Sequence, residues 1–113
     1  SSQVLEESIF DEVVANIGRE VAANHVAQFR DDFGRMLAKL LSQADATNLD
    51  CKEIHRLSGA AAVIGLRKLH YHLQDLENVP TSCQWTTWQL WKSTTSDLWA
   101  KTDQALIARL AAI

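Results

Sequence analysis

Apolar positions recur at steps of three and four residues along almost the whole chain, and alternation of apolar with polar residues is nearly absent. Such steps keep one face of a helix apolar, so the pattern predicts helix nearly throughout. A short first helix is read at Ile9 to Ile17, ended by Gly18. The second is long, roughly Arg19 to Ala44, with the stripe Ala22, Val26, Phe29, Phe33, Met36 and Leu40. A polar connection follows at Gln43 to Thr47. Thr47 with Asp50 three residues on resembles a capping box and would start the third helix, which runs to about Ile64. Gly65 permits a tight break, because glycine takes positive φ readily. A fourth helix is read at Leu66 to Glu77, and Asn78 to Ser82, with Pro80, is the next connection. The last helix runs from about Cys83 to Ala111, with Trp88, Trp91, Leu98, Thr102 and Ala105 along one stripe.

Short connections between long amphipathic helices favour antiparallel neighbours. The expected fold is therefore all-α: an antiparallel, up-and-down four-helix bundle with a short additional N-terminal helix, in one domain over residues 1–113. That length, 113 residues, suits a single modest core. Ser1-Ser2 reads as a frayed end.

The third helix carries the most informative residue. Its stripe is Ile54, Leu57, Ala61 and Ile64. At about 100° per residue, His55 lies roughly 140° from the middle of that stripe and should face outward. Exposed helix positions are usually filled by long polar residues. Beside His55 stand Cys51, Ser58, Gly59 and Ala62 instead. Gly59 inside a helix costs roughly 1 kcal/mol relative to alanine. That loss is intelligible where the backbone of a partner must approach closely. Lys52 and Arg56 flank the imidazole within a turn, where cations would help hold an anionic group such as a phosphoryl.

Composition narrows the classes of function. Apolar residues make up 47% and charged residues 22%, as in an ordinary globular domain. A net charge of −3 argues against nucleic acid as a main partner. No apolar run approaches the roughly 18 residues of a membrane span. No leader peptide is visible, so the domain reads as cytosolic and without direct membrane contact. Cys51 and Cys83 lack metal spacing or a disulfide framework and read as reduced, non-catalytic thiols. His70 and His72, two apart, point to nearly opposite sides of a helix, so no metal site is expected. His25 lies beside the stripe of its helix and is expected to be partly buried and hydrogen-bonded. Trp85, Trp88, Trp91 and Trp99 read as core and bundle-edge packing. No glycine-rich nucleotide-binding segment is present, so the chain is not expected to be a kinase or other enzyme in its own right.

The stretch His55-Arg56-Leu57-Ser58-Gly59-Ala60-Ala61-Ala62-Val63-Ile64-Gly65-Leu66-Arg67-Lys68-Leu69 resembles the signature of histidine-containing phosphotransfer domains. That signature has a His, an apolar residue two later, usually Lys or Arg at the third position, Gly at the fourth, small residues, and a second Gly before the next helix. Further out, Ile9-Phe10-Asp11 resembles the family's N-terminal lead-in. Phe29 and Phe33 fall in its long second helix, and Leu73, Leu76 and Glu77 fit the end of the following one. The resemblance is greatest to the C-terminal modules of hybrid sensor histidine kinases.

The resemblance implies a four-helix bundle and a role for His55. Its Nε2 would accept a phosphoryl group from an aspartyl phosphate on one response-regulator receiver domain and pass it to an aspartate on another. It implies that Glu77 accepts a hydrogen bond from the other ring nitrogen, fixing the tautomer that leaves Nε2 free. It further implies no cofactor of the chain's own, since Mg²⁺ comes with the receiver. The module would be monomeric in isolation and would sit in the cytoplasm, including at the cytoplasmic end of an inner-membrane sensor kinase. One departure stands out: Ser58 occupies the place of the family's Lys or Arg, so Lys52, Arg56, Arg67 or the receiver would have to supply the charge. Two other readings stay open. One is a degenerate member that docks receivers without carrying phosphate. The other is an unrelated helical bundle that binds a ligand or metal through its histidines.

Overall fold

The periodic stretches fold as five helices in the computed structural model, which describes residues 3–113, and no strand occurs among the described residues. The frayed end read at Ser1-Ser2 lies outside them. The helices are α1 (Glu7–Ile17), α2 (Arg19–Ser42), α3 (Cys51–Val63), α4 (Arg67–Glu77) and α5 (Trp85–Ala112). Helix α2 packs against α1, α3 and α5, and α4 packs against α3 and α5, so α2 to α5 close a circuit around one core. Among the described residues, no helix is long and apolar enough to cross a membrane.

The core follows the stripes read from the sequence. Val26, Phe29, Phe33, Met36 and Leu40 from α2 meet Ile54, Leu57 and Ala61 from α3. Leu69, Leu73 and Leu76 from α4 join them, with Trp88 and Leu106 from α5. Phe33 stacks on Trp99 with ring centroids 4.2 Å apart, and Phe29 tilts against the same indole at 6.0 Å. Phe10 of α1 is buried and closes the core at the end where α3 turns into α4.

Four expectations need correction. Trp85, expected to pack in the core or at the bundle edge, is 68% exposed, because it opens α5 beyond the core that Trp88, Trp91 and Trp99 join. Thr47 does not cap α3. Asp50 is the N-cap, and its carboxylate accepts from the Glu53 amide at 3.2 Å. The Thr47 amide instead donates to Asp45 Oδ1 at 3.0 Å, a turn closed before the helix begins. In α5 the fully buried residues are Trp88, Thr95, Thr102 and Leu106, while Trp91, Leu98 and Ala105 only flank the core. The true stripe is thus rotated by roughly 40° from the expected one, at about 100° per residue. Threonine is a polar type, but here each hydroxyl donates to the carbonyl one turn back, Thr95 to Trp91 and Thr102 to Leu98, both at 2.7 Å. Satisfied in this way, a threonine packs as a small apolar residue. Finally, His25 is exposed rather than partly buried. It stands at the rim of an apolar hollow of about 470 Å³ that Val13, Ile17, Val63 and their neighbours line.

The α3–α4 connection is the tightest point of the chain. Gly65 has φ 87°, and a Cβ placed on it would lie 2.8 Å from the Glu6 carbonyl oxygen. Its own carbonyl accepts from the Glu6 amide at 2.9 Å. Arg67 then pairs with the Glu6 carboxylate at 3.0 Å, fastening the segment before α1 across the turn.

Between α4 and α5 one polar contact is partly buried. Thr95 has already given its proton to Trp91, so its oxygen accepts from Nε2–H of His72, at 2.6 Å. Burial holds the His72 pKa below its ordinary value, against a smaller opposing pull from Asp75. The folded protein therefore resists protonating His72 more than the unfolded chain does. The resulting stability is present above about pH 6.5 and is lost as the pH falls from there through the folded pKa.

Gly65→Ala should lose about 2 kcal/mol or more of stability in urea unfolding, from the left-handed backbone and the collision with Glu6. His72→Gln should flatten the fall in unfolding midpoint between pH 7.5 and pH 5.5. A fall as steep as the wild type's would show that His72 is not its source.

Candidate functional site

His55 sits one turn into α3, on the side away from Ile54, Leu57 and Ala61. Those three are buried, which turns the imidazole outward and leaves its side chain 78% exposed. Glu77 is the last residue of α4, and its side chain is 19% exposed. Its carboxylate lies against the His55 ring, with Nδ1 at 3.3 Å from Oε1 and 3.2 Å from Oε2. A carboxylate only accepts, so this contact is a hydrogen bond with the proton on Nδ1. Nε2 then carries the lone pair.

Glu77 is an odd residue for its place. The last carbonyls of a helix carry partial negative charge, and a carboxylate there is disfavoured. A donor facing it offsets that cost, and His55 is such a donor. The Glu77 main-chain carbonyl has a partner as well, the Cys51 thiol, which donates at 3.6 Å.

The surroundings differ from the expected bare face in one respect. Gly59 and Ala62 are exposed, and a Cβ built on Gly59 meets nothing within 4 Å. No contact inside the protein therefore requires a glycine there. Ser58 is the exception. It is buried, and it binds His70 instead of lying beside His55. Its hydroxyl donates to the His70 carbonyl at 3.1 Å. Its own carbonyl accepts from His70 Nδ1–H at 2.9 Å, with the hydroxyl oxygen 3.0 Å from the same nitrogen. Ser58 lies about 80° from the middle of the α3 stripe, at about 100° per residue. That is a flank, and α4 covers it.

The candidate cations are not equally available. Arg56 pairs with Glu53 on its own helix and reaches Asp32 of α2 at 3.0 Å. Both carboxylates raise the Arg56 pKa above its ordinary value, Glu53 the more strongly, by hydrogen bonding. Asp32 also accepts from Gln28 at 2.8 Å and pairs with Arg35 at 2.6 Å, so Arg56 is one member of an ionic chain along the α2–α3 seam. Arg67 is engaged with Glu6. Lys52 is exposed and near enough to Asp50 to help lower its carboxyl pKa, although the Glu53 amide does most of that.

The structure thus brings His55, Glu77, Gly59 and Ala62 to one surface, and it turns Ser58 inward and Arg56 toward α2. Sequence reasoning missed the Cys51 contact with Glu77, which only the packing of α3 on α4 reveals. It also missed His70 as the partner of Ser58. Among the described residues, no group of three His, Cys, Asp or Glu side chains is arranged to hold a metal ion. No family model, no curated protein and no solved structure matches this chain.

Ser58→Ala should cost about 1 kcal/mol in urea unfolding, the ordinary worth of a partly buried hydrogen bond. A cost near zero would mean that the Ser58 hydroxyl adds nothing to the α3–α4 seam.

Proposed function

We propose that the chain is a phosphorelay intermediate of two-component signalling, in which His55 carries the phosphoryl group between receiver domains. Its architecture is then an antiparallel up-and-down bundle of α2 to α5, with α1 added at one end. The observation that carries this reading is an exposed imidazole whose Nδ1 faces a carboxylate, on a surface cleared of bulk by Gly59 and Ala62.

The chemistry suits such a site. Nε2 attacks the phosphorus of an aspartyl phosphate on the receiver. The P–O bond to the aspartate breaks, and the carboxylate leaves with its electron pair as the N–P bond forms. The imidazole keeps its Nδ1 proton and takes on positive charge, which the Glu77 carboxylate offsets. No general base is needed, because the attacking nitrogen bears no proton. Transfer to the second receiver is the reverse of these steps. The donor is already activated, so the domain contributes mainly position and charge. Mg²⁺ and the aspartate belong to the receiver.

One observation favours a second reading, a module that docks receivers without carrying phosphate. Ser58 is turned inward, and Arg56 and Arg67 are committed to carboxylates. Of the cations considered, Lys52 is left to meet the phosphoryl group beside whatever the receiver brings.

Incubation with a ³²P-labelled receiver decides between these readings. Wild type should acquire acid-labile, base-stable label, and His55→Gln should acquire none. Label retained on His55→Gln sinks the phosphorelay reading, and receiver binding with no label on wild type leaves the docking module. Gly59→Gln should fold as stably as wild type yet slow transfer about tenfold or more, because it fills the surface a receiver must approach. Equal transfer rates would remove the steric argument.

A further inference from the structure

Glu77 is held by α3 at two points one helical turn apart. His55 Nδ1 meets its carboxylate at 3.2 Å, and the thiol of Cys51, four residues earlier, donates to its main-chain carbonyl at 3.6 Å. Residues four apart lie on the same face of a helix, so both contacts come from one side of α3.

The second contact has a particular value at this position. The last four carbonyls of an α-helix lack partners within the helix. Beyond Glu77, the Asn78 amide turns back to Asp75 and Leu76, and the Val79 amide turns back to Leu76. Those bonds satisfy the carbonyls before Glu77 and pass over its own. The Cys51 thiol is the donor that reaches it. Glu77 is also the terminal residue of α4, where a helix frays most easily, and its carboxylate works against the helix dipole there. Without an anchor on its main chain, the carboxylate would have little to keep it on the His55 ring.

We infer that Cys51 is a positioning residue. By anchoring the Glu77 carbonyl, it keeps the carboxylate on Nδ1 of His55 and so keeps the lone pair on Nε2. This rests on His55 being the phosphoryl acceptor only for its consequence on transfer. The effect on the His55 tautomer stands independently of it. Cys51 is exposed, so the anchor is open to reagents.

The test reads the ring directly. In a Cys83→Ala background, ¹H–¹⁵N spectra of the His55 ring at pH 8 give the ratio of the Nδ1–H to the Nε2–H tautomer. Phosphoramidate, a small donor that needs no docking surface, gives the rate of phosphoryl uptake. Cys51→Ala should lower the tautomer ratio about two- to fivefold, the factor that corresponds to a sulfur hydrogen bond of about 0.5–1 kcal/mol. The rate of uptake should fall by the same factor. Methyl methanethiosulfonate, which replaces the thiol proton on Cys51 with a methylthio group, should lower both, and dithiothreitol should restore both.

A tautomer ratio in Cys51→Ala equal to that of the parent overturns the inference, whatever happens to the rate. A ratio that moves as expected in a protein that takes up no phosphoryl group supports the role of Cys51 and overturns the phosphorelay reading alone.

Discussion

Gly65 turns the chain with φ at 87°, and the pairings around His55 depend on that turn. The contacts His55–Glu77, Cys51–Glu77 and Ser58–His70 all join a residue before Gly65 to one after it. Helices α3 and α4, with 13 and 11 residues, are too short to be stable alone. They persist because Leu57, Ala61, Leu69, Leu73 and Leu76 are wholly buried in a core shared with α2 and α5. Burial sets how the two helices lean on each other, and the turn sets which residues come opposite. A small slip of α4 along α3 would part Glu77 from His55 with little change in the apolar contacts.

The elements themselves were legible in the sequence, because α2 and α3 carry apolar stripes at a helical period and Gly18, Gly65 and Pro80 mark the breaks between helices. Legibility failed at the flanks of the stripes. Ser58 and His25 both sit beside the buried face of their helices, and periodicity treats such positions alike. Ser58 is covered because α4 lies over it. His25 is open because α1, α2 and α3 leave a hollow beside it. Which flank is covered depends on neighbours that one helix does not encode. In α5 the reading was off for another reason. Thr95 and Thr102 are polar by type but bond to their own helix, so a count of apolar residues passes over them. At the candidate site, the exposure of His55, Gly59 and Ala62 could be read from spacing. The Cys51 contact and the Ser58–His70 pair could not, since both depend on how α3 meets α4.

The charges of α4 run against its dipole at both ends. Arg67 and Lys68 occupy the first turn, and Asp75 and Glu77 the last. Each such placement is worth roughly 0.3–1 kcal/mol in the wrong direction at an exposed helix end. Partners elsewhere offset that cost at both ends. Arg67 meets Glu6 across the turn, and Glu77 meets His55. The helix thus forgoes some stability of its own for contacts with its surroundings, and one of those contacts orients an imidazole.

The buried Thr95 hydroxyl has a consequence of a different kind. Apolar side chains tolerate sliding, because one aliphatic contact is replaced by another as two helices shift along each other. A hydrogen bond does not. His72 reaches Thr95 at 2.6 Å, and a half-turn displacement of α5 would leave the ring Nε2–H without its acceptor in a partly dry seam, while Thr95 kept its bond to Trp91. This bond therefore pins the axial register of the longest helix against α4. Through α4 it ties that register to the height at which Glu77 meets His55, so a polar pair remote from the imidazole keeps the whole frame indexed to it.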